Sequence, residues 1–257
     1  MRVEITFTGT GTGHGVPVIG CDCPVCTGGD PRNRRLRCGA VLRFAGRTVA
    51  VDTPPDMRAQ CLAAGVTSLD AVLYTHEHAD HIHGIDDIRR FNQIAGGAIA
   101  AYAPPGCAAA LRERFGYATR GASAEPSVAP GLEVVEVTGP FEIGGATVTP
   151  VPLVHGRMDT FGYRVGPLAY LTDLKELPDA SRELVRGLDL LVLDALRPEP
   201  HPMHLSFDEA IELARELSPR RTYLTHMTHH TDYAAVEPTL PDGVHLAYDG
   251  LTVWAEG

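Results

Sequence analysis

Apolar and polar side chains alternate through Arg2–Thr8, the two-residue period of a strand with one buried face. A loop rich in Gly, Cys and Pro follows to about Asp30. Ala40–Phe44 and Thr48–Val51 read as strands joined by a tight turn at Ala45-Gly46, and Asp56–Ala64 reads as a helix. Ala71–Tyr74 is wholly apolar, the mark of a buried strand, and it leads directly into THEHADHIHG. The pattern then predicts a helix over Asp86–Gln93, a strand at Ala98–Ala101 and a helix at Pro105–Phe115. Residues 116–131, rich in Gly, Ala, Ser and Pro, read as a surface insertion or lid.

Strands resume at Leu132–Thr138, Thr147–Val151, Gly162–Val165 and Ala169–Thr172, after which helical patterns alternate with the strands Leu190–Leu193 and Thr222–Thr225. The helix Phe207–Leu217 opens on Ser206, and Glu209 three residues later completes a capping box. Two strand-rich halves with helices outside them predict an α/β protein with two packed sheets in αββα layering. With no internal repeat and no linker, one domain over residues 1–257 is expected.

Composition narrows the function. A chain of 257 residues with 44% hydrophobic and 21% charged residues can build one large globular core. Its 22 basic residues against 32 acidic ones leave a net charge of −10, which repels a phosphate backbone and argues against a nucleic-acid partner. No apolar run reaches the roughly 20 residues of a membrane span. The N-terminal MRVEITFTGTGTG reads as a first strand rather than a signal peptide, so a cytoplasmic protein is expected.

The strongest chemistry lies in Thr75-His76-Glu77-His78-Ala79-Asp80-His81, directly after a buried strand. His76 and His78 are two apart, so in an extended segment both side chains point toward one ion. Asp80 and His81 follow where the chain turns into a helix and could hold a second. Nitrogen and oxygen donors without thiolate suit zinc, manganese or iron. Three distant candidates also stand at strand ends: His155, Asp173 and His226. Each alone reads as a cap or a satisfied polar group. Together they bring the total to seven donors from four segments, enough for two ions with Asp173 bridging, which would bind a phosphoryl group and acidify a bridging water.

Cys21, Cys23 and Cys26 are too close in sequence to pair comfortably with one another, and their spacing reads as a metal knuckle in a loop over about residues 20–30. Cys38, Cys61 and Cys107 read as inert core residues. The Gly-rich TGTGTG lacks the spacing of a nucleotide fingerprint and reads as a turn that lets backbone approach the metal site.

HxHxDH at 76–81 with His155, Asp173 and His226 resembles the metallo-β-lactamase-fold hydrolases, over nearly the whole chain. TGTGTGHGVPVIGCDCPVC at the start and His204-Leu205-Ser206 later are similar to the PhnP-type cyclic phosphodiesterases, neighbours of RNase Z. The resemblance implies a four-layer αββα sandwich, two catalytic divalent ions (manganese or zinc) and hydrolysis of a small cyclic phosphate by a metal-bridging hydroxide. A phosphoribosyl 1,2-cyclic phosphate or a 2′,3′-cyclic nucleotide is the implied substrate class. His76, His78 and His155 would hold one ion, and Asp80, His81 and His226 the other. Asp173 would lie between them, and Asp80 and Asp173 would also act in catalysis. Asp52 matches the carboxylate that orients a ligand from behind, and His204 matches the general acid. One structural zinc would take Cys21, Cys23, Cys26 and His229, with the neighbouring His230 the other candidate. Without the resemblance, His204 and His201 in RPEPHPMH read as solvated histidines, and His14 and His83 as loop histidines that could touch substrate. Asp86, Asp87, Arg89 and Arg90 read as a solvated helix face. An anionic substrate calls for Arg or Lys near the site, and the sequence leaves open which of the 22 basic residues converge.

The expected partner is a small phosphorylated molecule, with no membrane, and a homodimer is left open. The alternatives are an RNase Z-like RNA hydrolase, a lactonase or thioesterase on the same fold, and a non-catalytic accessory protein of cofactor biosynthesis.

Overall fold

A computed structural model of the chain describes residues 1–119 and 129–257. One sheet takes β1 (Arg2–Gly9), β2 (Gly39–Phe44), β3 (Arg47–Val51), β4 (Ala71–Leu73), β5 (Ile99–Ala103) and β6 (Leu132–Glu136). The other takes β7 (Phe141–Ile143), β8 (Ala146–His155), β9 (Met158–Val165), β10 (Leu168–Leu171), β11 (Leu190–Asp194), β12 (Arg221–Thr225) and β13 (Val244–Leu246). Strand β14 (Thr252–Glu256) returns to the first sheet and pairs with β1. The orders are β14-β1-β2-β3-β4-β5-β6 and β13-β12-β11-β10-β9-β8-β7. Pairing is antiparallel at the hairpins and parallel from β3 to β6 and from β10 to β13. The helices are α1 (Pro24–Thr27), α2 (Met57–Ala63), α3 (Ala79–Ile82), α4 (Ile88–Ala95), α5 (Pro105–Arg114), α6 (Gly116–Thr119), α7 (Asp179–Leu184), α8 (Phe207–Leu217) and α9 (Tyr233–Val236).

Side-chain alternation sets the layers. Leu42, Val49, Val51 and Leu73 face Val148, Tyr163, Tyr170 and Val192 in the core between the sheets. Their neighbours Val41, Ala50 and Val72 pack outward against Met57 of α2, Ile88 and Phe91 of α4 and Leu111 of α5. Leu191 and Leu193 likewise pack against Val185, Phe207, Ala210 and Leu213 beside α7 and α8. Both faces of these strands are buried, which is why they read as unbroken apolar runs. The expected αββα sandwich is the observed fold.

The differences from the sequence pattern have local causes. The helix expected over Asp86–Gln93 starts as a 3-10 turn at Ile85–Asp87 before α4. Strand β8 runs past Val151 to His155, although Pro150 and Pro152 interrupt it. Beyond Val148 its strand partner is β9, its other edge meeting only a single bridge from Val154 to Glu176 among the described residues, so the missing N–H groups of Pro150 and Pro152 fall on an edge with no neighbouring strand. The three-residue strands β7 and β13 are too short to show a period. Of the 116–131 insertion, 116–119 form α6, while residues 120–128 lie outside the described residues. The capping box at Ser206 and Glu209 forms as read. Among the described residues, no helix is long and apolar enough to cross a membrane.

Candidate metal centre

The parallel strands end on one side of the sandwich, and the chemistry collects there, outside their carboxyl ends. Asp52 follows β3, Thr75–His81 follows β4, Asp173 follows β10 and His226 follows β12, while His155 and Asp194 end β8 and β11. Asp52, Asp173 and His226 leave their strands with φ of 64°, 57° and 59°. Such left-handed conformations in residues with a Cβ store about 1–3 kcal/mol each and collect at functional sites.

The fold brings all seven expected donors together. Ligand-capable atoms of His76, His78 and His155, of His76, His81 and Asp173, and of Asp80, His81 and His226 lie within 4.8 Å of one another in each group. Asp173 is central: its Oδ1 is 3.3 Å from His226 Nε2 and 3.9 Å from His155 Nε2, and its Oδ2 is 3.3 Å from His81 Nε2. Asp80 reaches His81 Nε2 at 3.5 Å from the other side. His76 Nε2 and His78 Nδ1 face each other at 2.9 Å.

Buried hydrogen bonds fix which nitrogen each ring presents. Asp52 accepts from Thr75 N (2.8 Å), Thr75 Oγ1 (2.8 Å) and His81 Nδ1 (2.7 Å). With its own proton given to Asp52, Thr75 Oγ1 accepts from His76 Nδ1 at 3.0 Å. His155 Nδ1 donates to Met203 O at 2.9 Å. One carboxylate and one carbonyl therefore turn three Nε2 atoms toward the centre, the arrangement that orients imidazole ligands. Thr75 carried no signal of this role in the sequence.

The donor set fits divalent cations. The Nε2 atoms of His81 and His155 and both ring nitrogens of His226 are buried without a hydrogen-bond partner. Unpaired buried nitrogen is costly unless something binds it. Burial holds His76 well below the usual histidine range, lowers His155 and pushes His226 down to about 4, so these rings are neutral. Burial would raise the Asp173 carboxyl, yet His226 and His81 outweigh it and hold it well below the carboxylate range. Burial also opposes a charge on His81, but Asp173 and Asp52 drive it well above the usual range. Neutral rings at His76, His155 and His226 beside the anionic Asp173 are the protonation states metal binding requires, and the carboxylates that hold a proton on His81 call for positive charge that a divalent ion would supply in its place.

His204 sits beside this cluster rather than in solvent. Its ring stacks on His226 with centroids 4.9 Å apart, and its Nδ1 donates to Asp194 Oδ2 at 3.0 Å. Burial lowers the His204 pKa, but the Asp194 hydrogen bond and the Asp173 charge outweigh it and raise it. Asp194 is fully buried, and nothing in LLVLD distinguished it from a strand-end cap. The cluster floors an open cleft of about 400 Å³ that His14, Arg197 and His201 also line. His201, half-buried, lines that cleft beside His204. His83 instead packs edge-on against Phe115, centroids 5.6 Å apart. The TGTGTG turn does approach the centre: a Cβ at Gly13 would lie 3.1 Å from Asp80 Oδ2, closer than a side chain comfortably fits.

The knuckle also assembles. His229 Nδ1 lies 3.2, 3.4 and 3.6 Å from the Sγ atoms of Cys21, Cys23 and Cys26. Tetrahedral zinc with Zn–S of about 2.3 Å and Zn–N of about 2.0–2.1 Å would place nitrogen and sulfur about 3.5 Å apart, so the geometry fits. His230, the other candidate, is exposed beside His229. Cys23 is lowered to about 6, first by the Cys26 backbone N–H and further by His229 and Cys21. Beneath the knuckle Arg35 is 1% exposed and donates to Thr231 O (2.9 Å), Thr228 O (3.4 Å) and Asn33 Oδ1 (3.1 Å), tying both loops together.

Known proteins are similar to this chain in sequence and fold. The family described as beta-lactamase superfamily domain matches residues 47–227. A solved structure of a diphosphatase of the PhnP family is 42% identical, covering 99% of this chain and 97% of that one with a TM-score of 0.91. An octanoyltransferase of Porphyromonas gingivalis is 36% identical over 248 residues, 95% of this chain, and this chain spans half the length of that curated relative. Zinc-bound PqqB of Methylobacterium extorquens shares the fold, at 21% identity over 97% of this chain and 99% of that one, with a TM-score of 0.77. The chain therefore belongs to the β-lactamase superfamily, with the PhnP family, as a metal-dependent hydrolase of the metallo-β-lactamase fold.

Proposed function

We propose that this protein hydrolyses a phosphorus–oxygen bond in a small phosphodiester, with the cyclic phosphates and diphosphate-linked compounds as candidate substrates. The observation that carries the reading is His204, held by buried Asp194 at the edge of the seven-donor cluster. His76, His78 and His155 would hold one divalent ion, Asp80, His81 and His226 a second, and Asp173 would serve both; zinc and manganese suit these donors. When bound, the ions supply charge neutralisation for a phosphoryl group and acidify a water. Asp80 and Asp173 keep the donor set anionic, and Asp52 keeps His81 and His76 in the presenting tautomer. With Nδ1 engaged by Asp194, His204 can deliver a proton from Nε2 to the departing oxygen, a contribution of about 10²–10⁴-fold for general acids. Cys21, Cys23, Cys26 and His229 would hold a structural zinc, and their thiolates suit a reducing, cytoplasmic setting. The likeness to a PhnP-family diphosphatase supports the same class.

The acyl-transfer reading prompted by the octanoyltransferase relative, like the thioesterase alternative on this fold, needs an apolar channel for a fatty acyl chain. Among the described residues lining the cleft, Leu196 is the one aliphatic side chain, beside His78, Asp80, Asp173, His204 and Thr228. An eight-carbon chain would find no burial there.

The test is a panel offered to the zinc- and manganese-loaded protein: bis(p-nitrophenyl) phosphate, 2′,3′-cyclic nucleotides, dinucleoside diphosphates, a β-lactam, a lactone and a thioester, with Asp80→Ala as the blank. Metal-dependent turnover confined to the phosphorus substrates is expected. Preference for the lactam, lactone or thioester would refute the reading.

A further inference from the structure

Leu196–Leu205 forms a closed loop between β11 and α8. Leu196 N donates to Leu205 O at 2.9 Å, Thr228 N donates to Leu196 O at 2.9 Å, and Phe207 N donates to Arg197 O at 3.1 Å. The backbone of Arg197 is thereby fixed at the cleft wall. Its guanidinium makes two long hydrogen bonds, Nε to Glu199 O and Nη2 to Pro200 O, both 3.4 Å and both to neutral carbonyls. Among the described residues no carboxylate pairs with it, whereas Arg37, Arg43, Arg47 and Arg221 are ion-paired to Asp56, Glu4, Asp70 and Asp189. Arg197 is also the one Arg or Lys among the described residues lining the cleft. His201 accepts from Met203 N through Nδ1 at 3.3 Å, which places its proton on Nε2 and makes that atom a donor. The His201 ring lies 5.2 Å from that of His204, centroid to centroid. One loop thus carries the proton donor and, beside it, a guanidinium and an imidazole N–H with no anion to bind.

We infer that Arg197 and His201 form an anion subsite on the leaving-group side of the cleft, so that the preferred substrate is a diphosphate whose leaving group is itself a phosphate monoester. This rests on the phosphodiesterase reading and narrows it. The oxygen that receives the proton from His204 belongs to the leaving group, so whatever that oxygen is attached to lies against the same loop. When it is the oxygen of a sugar or a phenol, Arg197 faces no charge. In a diphosphate it is the bridging oxygen, and the attached phosphoryl group brings anionic oxygens that suit a guanidinium fork. Hydrolysis then adds a water oxygen to one phosphorus and breaks that phosphorus's bond to the bridging oxygen. The bridging oxygen leaves with the electron pair and takes the His204 proton. The water's proton restores His204, and two phosphate monoesters are the products.

The experiment compares kcat/KM of the metal-loaded wild type, Arg197→Ala, Arg197→Lys and His201→Ala on two substrates: P1,P2-di(adenosine-5′) diphosphate and bis(p-nitrophenyl) phosphate. The ratio of the two kcat/KM values should fall by about tenfold or more in Arg197→Ala, chiefly through KM on the diphosphate, with part regained in Arg197→Lys. An unchanged ratio in both Arg197→Ala and His201→Ala would overturn the subsite. If the wild type turns over neither substrate, the hydrolytic reading fails by itself. The subsite is then judged by calorimetric titration with AMP, a phosphate monoester. About tenfold weaker binding to Arg197→Ala supports it, and equal binding overturns it.

Discussion

Asp52 shows how much of a metal site can rest on a residue that holds no metal. It accepts from His81 directly and reaches His76 through the Thr75 hydroxyl, so a single carboxylate sets two rings. Asp52→Ala should lower the affinity of the catalytic ions about 10–100-fold, read by competition with a coloured chelator, and an unchanged affinity would show that the rings are set by packing alone. A second prediction concerns the proton. His204→Ala and Asp194→Asn should each retain metal stoichiometry and lose about 10²–10⁴-fold in kcat, because Asn can turn its amide toward Nδ1 and fix the wrong tautomer. Full activity in Asp194→Asn would leave His204 without its positioning partner. At this scale the sequence was uneven. HxHxDH announced itself because four donor residues are packed into six positions. Asp194, Arg197 and Thr75 gave no such sign, since a strand-end Asp, a loop Arg and a buried Thr each have ordinary uses, and only their spatial neighbours separate those uses.

The segment Thr225–Thr231 gathers two centres into one loop. His226 turns into the histidine and aspartate cluster, and His229 three residues on turns out to the cysteines. Met227 between them donates from its backbone N to Thr10 O at 2.8 Å, and Arg35 fastens the far end. Cys23→Ser should therefore do more than release one ion. We expect the zinc content to drop by one per chain, Tm to fall by roughly 5 °C or more, and activity to fall as well, because His226 loses its anchor. Unchanged zinc content in Cys23→Ser would sink the four-ligand assignment. The three cysteines were readable from spacing, and the pairing with residue 229 was available only through the family resemblance, because 203 residues separate Cys26 from His229. Element boundaries were lost chiefly where a strand has one neighbour, as at Pro150 and Pro152 of β8.

Across the whole molecule, the two sheets meet through apolar packing and through a few hydrogen bonds at the metal end. Tyr163 OH donates to Tyr74 O at 2.6 Å and Phe161 N to Thr75 O at 3.0 Å, so β9 of one sheet is tied to the segment that carries His76 and His78. Tyr163→Phe leaves a buried carbonyl without this donor and should destabilise the fold by about 1–3 kcal/mol, seen as a lower urea midpoint at unchanged slope. No shift would mean that packing alone joins the sheets there. The αββα layering was legible because strands buried on both faces leave apolar runs, and the order of the strands was not, because it depends on pairings between distant segments. The three left-handed residues Asp52, Asp173 and His226 have a consequence for the protein's history. Glycine at any of them would relax the backbone and remove a buried charge or an unpaired ring, so chance mutation always has a route there to a sturdier but inactive molecule. A lineage selected for heat resistance alone would discard these side chains early, and their presence in a descendant would therefore record that the chemistry itself was still under selection.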